Sequence, residues 1–317
     1  MFKKNLFTKV EDIICFESID SVAIKVKDFY EDDPFPNYKK KDNIVSILKS
    51  GDKNQYTYNL KKFIGNDKNI LEVGAGTCQL SNYLSIGSNN RIIAFDLNIN
   101  SLKLGYNFAK KNGIKNVEFV CGDIFDDIFE DNYFDIVLCN GVLHHTKNTQ
   151  TALKESIKYL KKDGYILVGL YNKIGRIRTH IRRYLYKFLG KKFIILLDPV
   201  LRKIPEDSQD KIDAWIKDQY EHPVERSHSF DEVLNWFNDF GIQYINSYPT
   251  CGITDIYDND EVFVNFFNQG NKRTFFDRIL GKVSFKSFEE CDENNKQGVL
   301  YLYDEYRRFL TKKVDDN

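Results

Sequence analysis

The stretch "NILEVGAGTCQL", residues 69–80, decides the fold. An apolar run ends in an acid, Glu72, followed by two glycines one residue apart, Gly74 and Gly76, with Thr77 opening a helix. A strand that passes through glycines into a helix is the first turn of a βαβ unit, where bare backbone and a helix N-terminus meet a ligand. The same alternation continues outward. "RIIAFDL" (91–97), "VEFVCGD" (117–123), "FDIVLCNG" (134–141) and "YILVGLYN" (165–172) read as further strands, with helix-length amphipathic segments between them. This predicts an α/β chain with a doubly wound, Rossmann-like, mostly parallel sheet whose carboxyl edge binds ligands.

After Asn172 the pattern breaks into a basic, helix-like stretch and resumes at "SFDEVLNWFNDFG" (229–241), where Ser229 and Glu232 stand at capping-box spacing and Phe230, Val233, Leu234 and Phe237 share a face. "IQYINSYP" (242–249) and "GVLYLYDEY" (298–306) supply two more strands, for a sheet of seven. The expected organisation is an N-terminal extension over 1–50, a ligand-binding core over 51–172, a helical insertion over 173–228 and completion of the sheet over 229–317.

The 317 residues are 42% hydrophobic, enough for a sizeable core, and 46 basic side chains balance 46 acidic ones. No global field draws the molecule to nucleic acid or membrane, so an anionic partner must be met by a local patch. Six cysteines carry no CxxC pair, which suits a reducing compartment. The N-terminus is charged before any apolar segment develops, and "FIILL" (193–197) is far short of a membrane span. The expectation is a soluble, unprocessed cytoplasmic protein without a transmembrane segment. Oligomeric state is not legible.

What ligand wants this turn? A dinucleotide fingerprint needs a glycine at position 79, where Gln79 stands, and a nicotinamide oxidoreductase is disfavoured for that reason. A Walker lysine and hydroxyl pair is also missing. Acid-x-Gly-x-Gly suits a zwitterionic, cationic nucleoside: Glu72 can face an ammonium group, the glycines admit the ligand to the backbone, and the helix N-terminus can accept a carboxylate. S-Adenosylmethionine carries those groups. Asp96, twenty residues after Gly76 and followed by Leu97, can take ribose hydroxyls, and Asp123 with the backbone of Ile124 can read an adenine edge.

With these motifs in order, residues 65–172 resemble a class I S-adenosylmethionine-dependent methyltransferase. In that family a third glycine commonly follows Gly76 by two positions, where this chain has Cys78. The "NGVLHH" segment (140–145) is similar to the quinone and sterol type branch acting on small molecules, and the resemblance implies that Asn140 lines the methionine side while His144 and His145 sit by the substrate as candidate bases. The alternative reading is that one of the two histidines only braces the loop. The sequence expected for methylation of base amino groups, and the double-glutamate loop of arginine methyltransferases, are both missing.

Two further segments are expected at the acceptor. "DFYEDDPFPNY" (28–38) offers Tyr30, Phe35 and Tyr38, stiffened by prolines, either as a strip over the cleft or as a plug against the sheet. "LYNKIGRIRTH" (170–180) offers Tyr171. With "DQYEHPVERSH" (218–228), these segments resemble a bacterial group of methyltransferases whose substrate is unassigned. Residues 173–192 hold eight basic residues and no acid, with Ile174, Ile177, Ile181, Leu185 and Phe188 at helical spacing. Such a helix is either a lid, apolar side on the core, or a docking element for an anionic partner, a peripheral membrane surface included. His222 and His228, near Glu221 and Glu225, match no standard metal spacing, and no metal is assigned. The expectation is methyl transfer to a small molecule, with RNA or protein methylation and a non-catalytic cofactor sensor as alternatives and nucleic acid an unlikely partner.

Overall fold

The computed structural model describes residues 1–4, 7–17, 24–26, 29, 38–39, 41–173, 175–205, 208–248 and 306–313. A nine-stranded sheet runs through its centre. The strands are β1 (Thr8–Val10), β2 (Ile13–Cys15), β3 (Asn69–Val73), β4 (Arg91–Asp96), β5 (Val117–Cys121), β6 (Phe134–Asn140), β7 (Leu160–Tyr171), β8 (Ile242–Tyr248) and β9 (Tyr306–Lys313), in the order β1-β2-β5-β4-β3-β6-β7-β9-β8. Strands β2 to β7 are parallel to their neighbours in this order, while β1, β8 and β9 join antiparallel.

Two differences from the expected seven strands have physical causes. Residues 8–15 form a hairpin whose second strand pairs with β5 through Ile14 and Val120, and runs of three residues are too short to show a period. The final strand is β9, which shares only Tyr306 with the expected 298–306; residues 298–305 lie outside the described residues. β9 carries four basic residues, Arg307, Arg308, Lys312 and Lys313, so its sequence reads as a charged tail. Pairing with β7 on one side and β8 on the other satisfies its backbone regardless of that charge.

Alternation along the parallel strands sends side chains to two cores. Ile70, Ile92, Ala94, Phe119 and Leu138 face Ile47, Leu60, Leu84, Leu102 and Phe108 of α1 (Ile44–Lys53), α2 (Gln55–Ile64), α3 (Gln79–Ser85) and α4 (Ile99–Lys111) as one cluster. Leu71, Val73, Ile93, Phe95, Val137 and Val168 face Leu153, Val233 and Phe237 on α5 (Thr149–Lys158) and the later helix over 230–239. Coverage of both faces is why these strands read as continuous apolar runs. Each buried valine, leucine, isoleucine or phenylalanine among them contributes about 1.5–3 kcal/mol of transfer free energy.

The insertion forms α6 (Ile177–Leu197), bent at Gly190 with φ 73° and ψ −173°, and α7 (Gln209–Ile216), which runs into a wide helical turn over Lys217–Glu221. Ile194, Leu201, Ile212, Ile216 and Tyr220 give it a small core of its own. Next comes α8 (Phe230–Asp239), whose expected capping box is present in both halves, Ser229 accepting from the Glu232 amide and Glu232 accepting from the Ser229 amide. Among the described residues, no helix is long and apolar enough to cross a membrane.

Candidate functional site

The order in which strands are added reverses at β3, which has β4 and then β5 on one side and β6 and then β7 on the other. A crevice opens outside the carboxyl ends of strands at such a switch point. Backbone N–H groups of Gly74 and Ala75 both donate to the Phe95 carbonyl, at 2.8 and 3.0 Å. Gly74 has φ 71°, and a Cβ there would stand 2.4 Å from Cγ2 of Val142, so only glycine fits between β3 and the loop after β6. The Gly76 N–H donates to Oδ2 of Asp96 at 2.7 Å and the Asn98 N–H to Oδ1 at 2.8 Å. Burial pushes the Asp96 carboxyl up, and those backbone donors oppose the shift.

Cys78 sits in the left-handed region at φ 60° and ψ 27°. A non-glycine residue there costs roughly 1–2 kcal/mol. Burial of its thiol against Gly105 of α4 offsets the cost: a Cβ on Gly105 would meet the Cys78 Cβ at 2.5 Å. The turn thus keeps the glycine-like conformation with a cysteine in it. Burial raises the thiol's pKa well above the ordinary range, which leaves it unreactive.

Glu72 points toward α3, where its Oε2 accepts from the Ser81 hydroxyl. It is 6% exposed, and burial pushes its carboxyl up to about 7. Asp123 ends the β5 loop and caps a 3-10 turn over Ile124–Asp126, accepting from the Phe125 N–H at 3.1 Å. Lys147 lies over the Phe125 ring, 4.4 Å from its centre. These segments enclose a cavity of about 480 Å³ lined by Glu72, Gly74, Gly76, Asp96, Leu97, Asp123, Ile124 and Asn140. That volume lies within the usual range for small-ligand sites.

His145 and Tyr171 share the same lining, and so does Asp218 from the insertion. His145 Nδ1 donates to the Val224 carbonyl at 2.7 Å, since a carbonyl can only accept, which leaves Nε2 as the accepting nitrogen. Burial lowers its pKa and holds the ring neutral. The ring packs against His222 at 3.8 Å between centres, tilted by 30°, and Tyr171 lies beneath the Arg176 guanidinium at 3.8 Å. Arg176 is itself buried, paired with Glu225 at 2.7 Å and donating to Gln219 Oε1 at 2.7 Å. A chain of contacts therefore runs from the insertion to the cavity wall.

Not every expected residue arrives there. His144 is 1% exposed, outside the cavity lining, and neither ring nitrogen has a hydrogen-bond partner among the described residues. Tyr38 stacks on Phe108 at 4.6 Å and accepts from Asn82 Nδ2 at 2.9 Å, within the core under α3 and α4 and away from the lining. Tyr30 and Phe35 lie outside the described residues. The residues grouped as a weak metal candidate separate: Glu225 binds Arg176 and Arg183, Glu221 accepts from Tyr186, and His228 bonds Glu232 and Thr149. Among the described residues no group of three or more histidine, cysteine or acidic side chains is arranged to hold a metal. Phe125, Lys147 and Asp218 escaped the sequence reading. The first two follow known motifs by a few residues, and Asp218 opens the "DQYEHPVERSH" segment, which was read as a stretch and not residue by residue.

A family model described as a methyltransferase domain matches residues 64–187. The chain is similar to an uncharacterized protein of Methanocaldococcus jannaschii, 32% identical over 163 residues that span 50% of this chain and 65% of that protein. It is also similar to the ubiquinone/menaquinone biosynthesis C-methyltransferase UbiE of Stutzerimonas stutzeri, 31% identical over 107 residues that span 33% of this chain and 42% of the relative. The match thus spans less than two thirds of either relative's length. PKMT2 of Rickettsia typhi, solved in complex with AdoHcy, shares the fold with a TM-score of 0.52 at 15% identity, covering 82% of this chain and 52% of that one. The family match falls on the same residues, 64–187, that carry the ordered motifs and most of the cavity lining, and over them the chain is similar to S-adenosylmethionine-dependent methyltransferases.

Proposed function

We propose that the chain transfers a methyl group from S-adenosylmethionine to a small-molecule acceptor that enters beside His145, Tyr171 and Asp218. One observation carries this reading: the ends of β3, β4, β5 and β6 all contribute to one cavity that also holds a neutral histidine. The residues fit the cofactor. Asp96, fixed by two N–H donors, keeps lone pairs for ribose hydroxyls. Glu72 is a buried acid whose raised pKa calls for a cationic neighbour. Gly74 leaves no room for a side chain between ligand turn and loop.

When bound, the cofactor supplies a methyl group on a positively charged sulfur, already activated for displacement. The protein's share is to hold the acceptor in line, exclude water and remove a proton. His145 takes the proton at Nε2 while Val224 fixes its ring, an effect of about 10²–10⁴ in rate. Tyr171, whose phenol is pushed up to about 12 by burial, stays protonated and positions the acceptor.

Equilibrium binding of S-adenosylmethionine comes first, followed by incubation of the protein with methyl-labelled cofactor and a fractionated lysate. Label in the small-molecule or lipid fraction is expected. Label only in nucleic acid or protein would overturn the acceptor class, and binding without any labelled product would favour a sensor. A protein that does not bind the cofactor at all sinks the whole reading.

A further inference from the structure

Helix α6 is amphipathic in the wrong sense for a lid. Up to the Gly190 bend its inward side is polar, and only beyond the bend does Ile194 enter the insertion's own core: Arg176 at its start and Arg183 both pair with Glu225 at 2.7 Å, Arg183 also donates to the Gln219 carbonyl, and Tyr186 donates to Glu221. Within the helix only Thr179 and Ile194 are fully buried. Its outward side is apolar. Ile177, Ile181, Tyr184 and Phe188 follow one another at spacings of four, three and four, and are 50%, 55%, 64% and 70% exposed. This spacing is one continuous stripe along the helix. Beyond the Gly190 bend the apolar surface continues with Phe193 and Leu196, the latter 66% exposed. A lid in water would show the reverse, apolar inside and charge outside.

The stripe is flanked by charge of one sign. From Lys173 to Leu197 there are eight basic residues and no acid. Four of the eight, Arg176, Arg182, Arg183 and Lys191, are held in ion pairs with Glu225, Asp198 and Asp213. Lys187 and Lys192 are exposed along the helix, and Lys173 is exposed just before it. An exposed aromatic and aliphatic stripe beside lysines, on a helix unable to span, matches an interface that lies in the headgroup region of an anionic bilayer. We propose that the outward face of α6 docks this protein on an anionic lipid surface. Charge complementarity selects this occupant over a neutral apolar one. Because Arg176 stacks on Tyr171 in the cavity wall, the docking helix begins at the acceptor end of the site.

The test uses the full chain with vesicles of phosphatidylcholine alone and of phosphatidylcholine mixed with phosphatidylglycerol. Sedimentation with the mixed vesicles is expected, weakening as salt is raised. The double variant Ile181→Glu plus Phe188→Glu changes only exposed positions and should lower vesicle binding by at least about tenfold. Its circular dichroism and cofactor affinity should match the parent, which separates docking from folding and from methyl transfer. The proposal is overturned if the parent stays in solution with both vesicles, or if the double variant binds as well as the parent. It is equally overturned if the parent binds no vesicle but self-associates through Ile181 and Phe188, since the stripe would then meet a second copy.

Discussion

The backbone N–H of Gly76 donates to Oδ2 of Asp96 at 2.7 Å, joining the turn after β3 to the end of β4 across twenty residues. With Oδ1 occupied by the Asn98 N–H, the carboxylate is oriented before any ligand arrives. Asp96→Ala should therefore weaken S-adenosylmethionine binding by about 1–3 kcal/mol, through loss of charge-assisted bonds to ligand and of the brace on the turn. Asp96→Asn should fall between, because an amide can accept through only one of its two ends. Calorimetric titration of both variants decides it, and an unchanged affinity for Asp96→Ala would sink the ribose assignment.

Glu72 should make the ligand-free protein less stable as pH rises. Its folded pKa of about 7 exceeds the ordinary 4.5, so the native state binds the extra proton between those values and unfolding releases it. Stability is complete below the lower value and is lost as pH climbs through the upper one, by roughly 3 kcal/mol at 1.36 kcal/mol per unit. Glu72→Gln should remove this slope, while the buried histidines, whose depressed pKa values act oppositely at acid pH, contribute equally to both proteins. Denaturant titrations of the pair from about pH 5 to about pH 8 read the difference. A difference that does not vary with pH is the contrary result.

Gly74→Ala should damage the site more than an ordinary surface change. The new Cβ would have to adopt φ 71° and displace Val142, whose Cγ2 lies 2.4 Å from its ideal position. Left-handed strain of roughly 1–2 kcal/mol and overpacking of about 1–3 kcal/mol add, and a lowered melting temperature with weaker cofactor binding should follow. Adding Val142→Ala relieves the clash alone, so the double variant should recover part of the loss. Full recovery would mean that the left-handed backbone carries no cost; none would mean that the clash was not the cause.

The parts of this site that the sequence makes legible are those where chemistry and spacing coincide. Glu72, Gly74, Gly76, Asp96 and Asp123 each stand where a parallel strand ends, and the strands announce themselves by apolar runs that both cores require. Cys78 reads as a departure from pattern because its left-handed backbone cannot be seen until Gly105 is found packed against its side chain. His144 and His145 are adjacent and chemically identical; the reach of Val224 to His145 and the place of His145 alone in the cavity lining tell them apart. Periodicity locates α6 well, yet which side faces the protein is decided by Glu225, more than forty residues away, and not by the helix itself.

The same substitution at His144 and His145 should give opposite outcomes. His144 is buried with both ring nitrogens unpartnered among the described residues, so its polar atoms cost free energy. His144→Leu, of similar volume, should leave activity in place and hold or raise stability by about 1 kcal/mol, where loss of a hydrogen-bonded buried side chain would cost as much or more. His145→Leu strips the Val224 carbonyl of its donor and removes the accepting nitrogen from the cavity lining. That variant should bind S-adenosylmethionine normally and lose about 10²–10⁴ in turnover. The parent's pH profile supplies a further check: with the His145 pKa lowered below 6.5, the ring is already neutral at that pH, so activity should persist from about pH 8 to about pH 6.5 before falling. Equal losses of turnover in the two variants would assign both histidines to bracing the loop, and the base would have to be sought at Asp218.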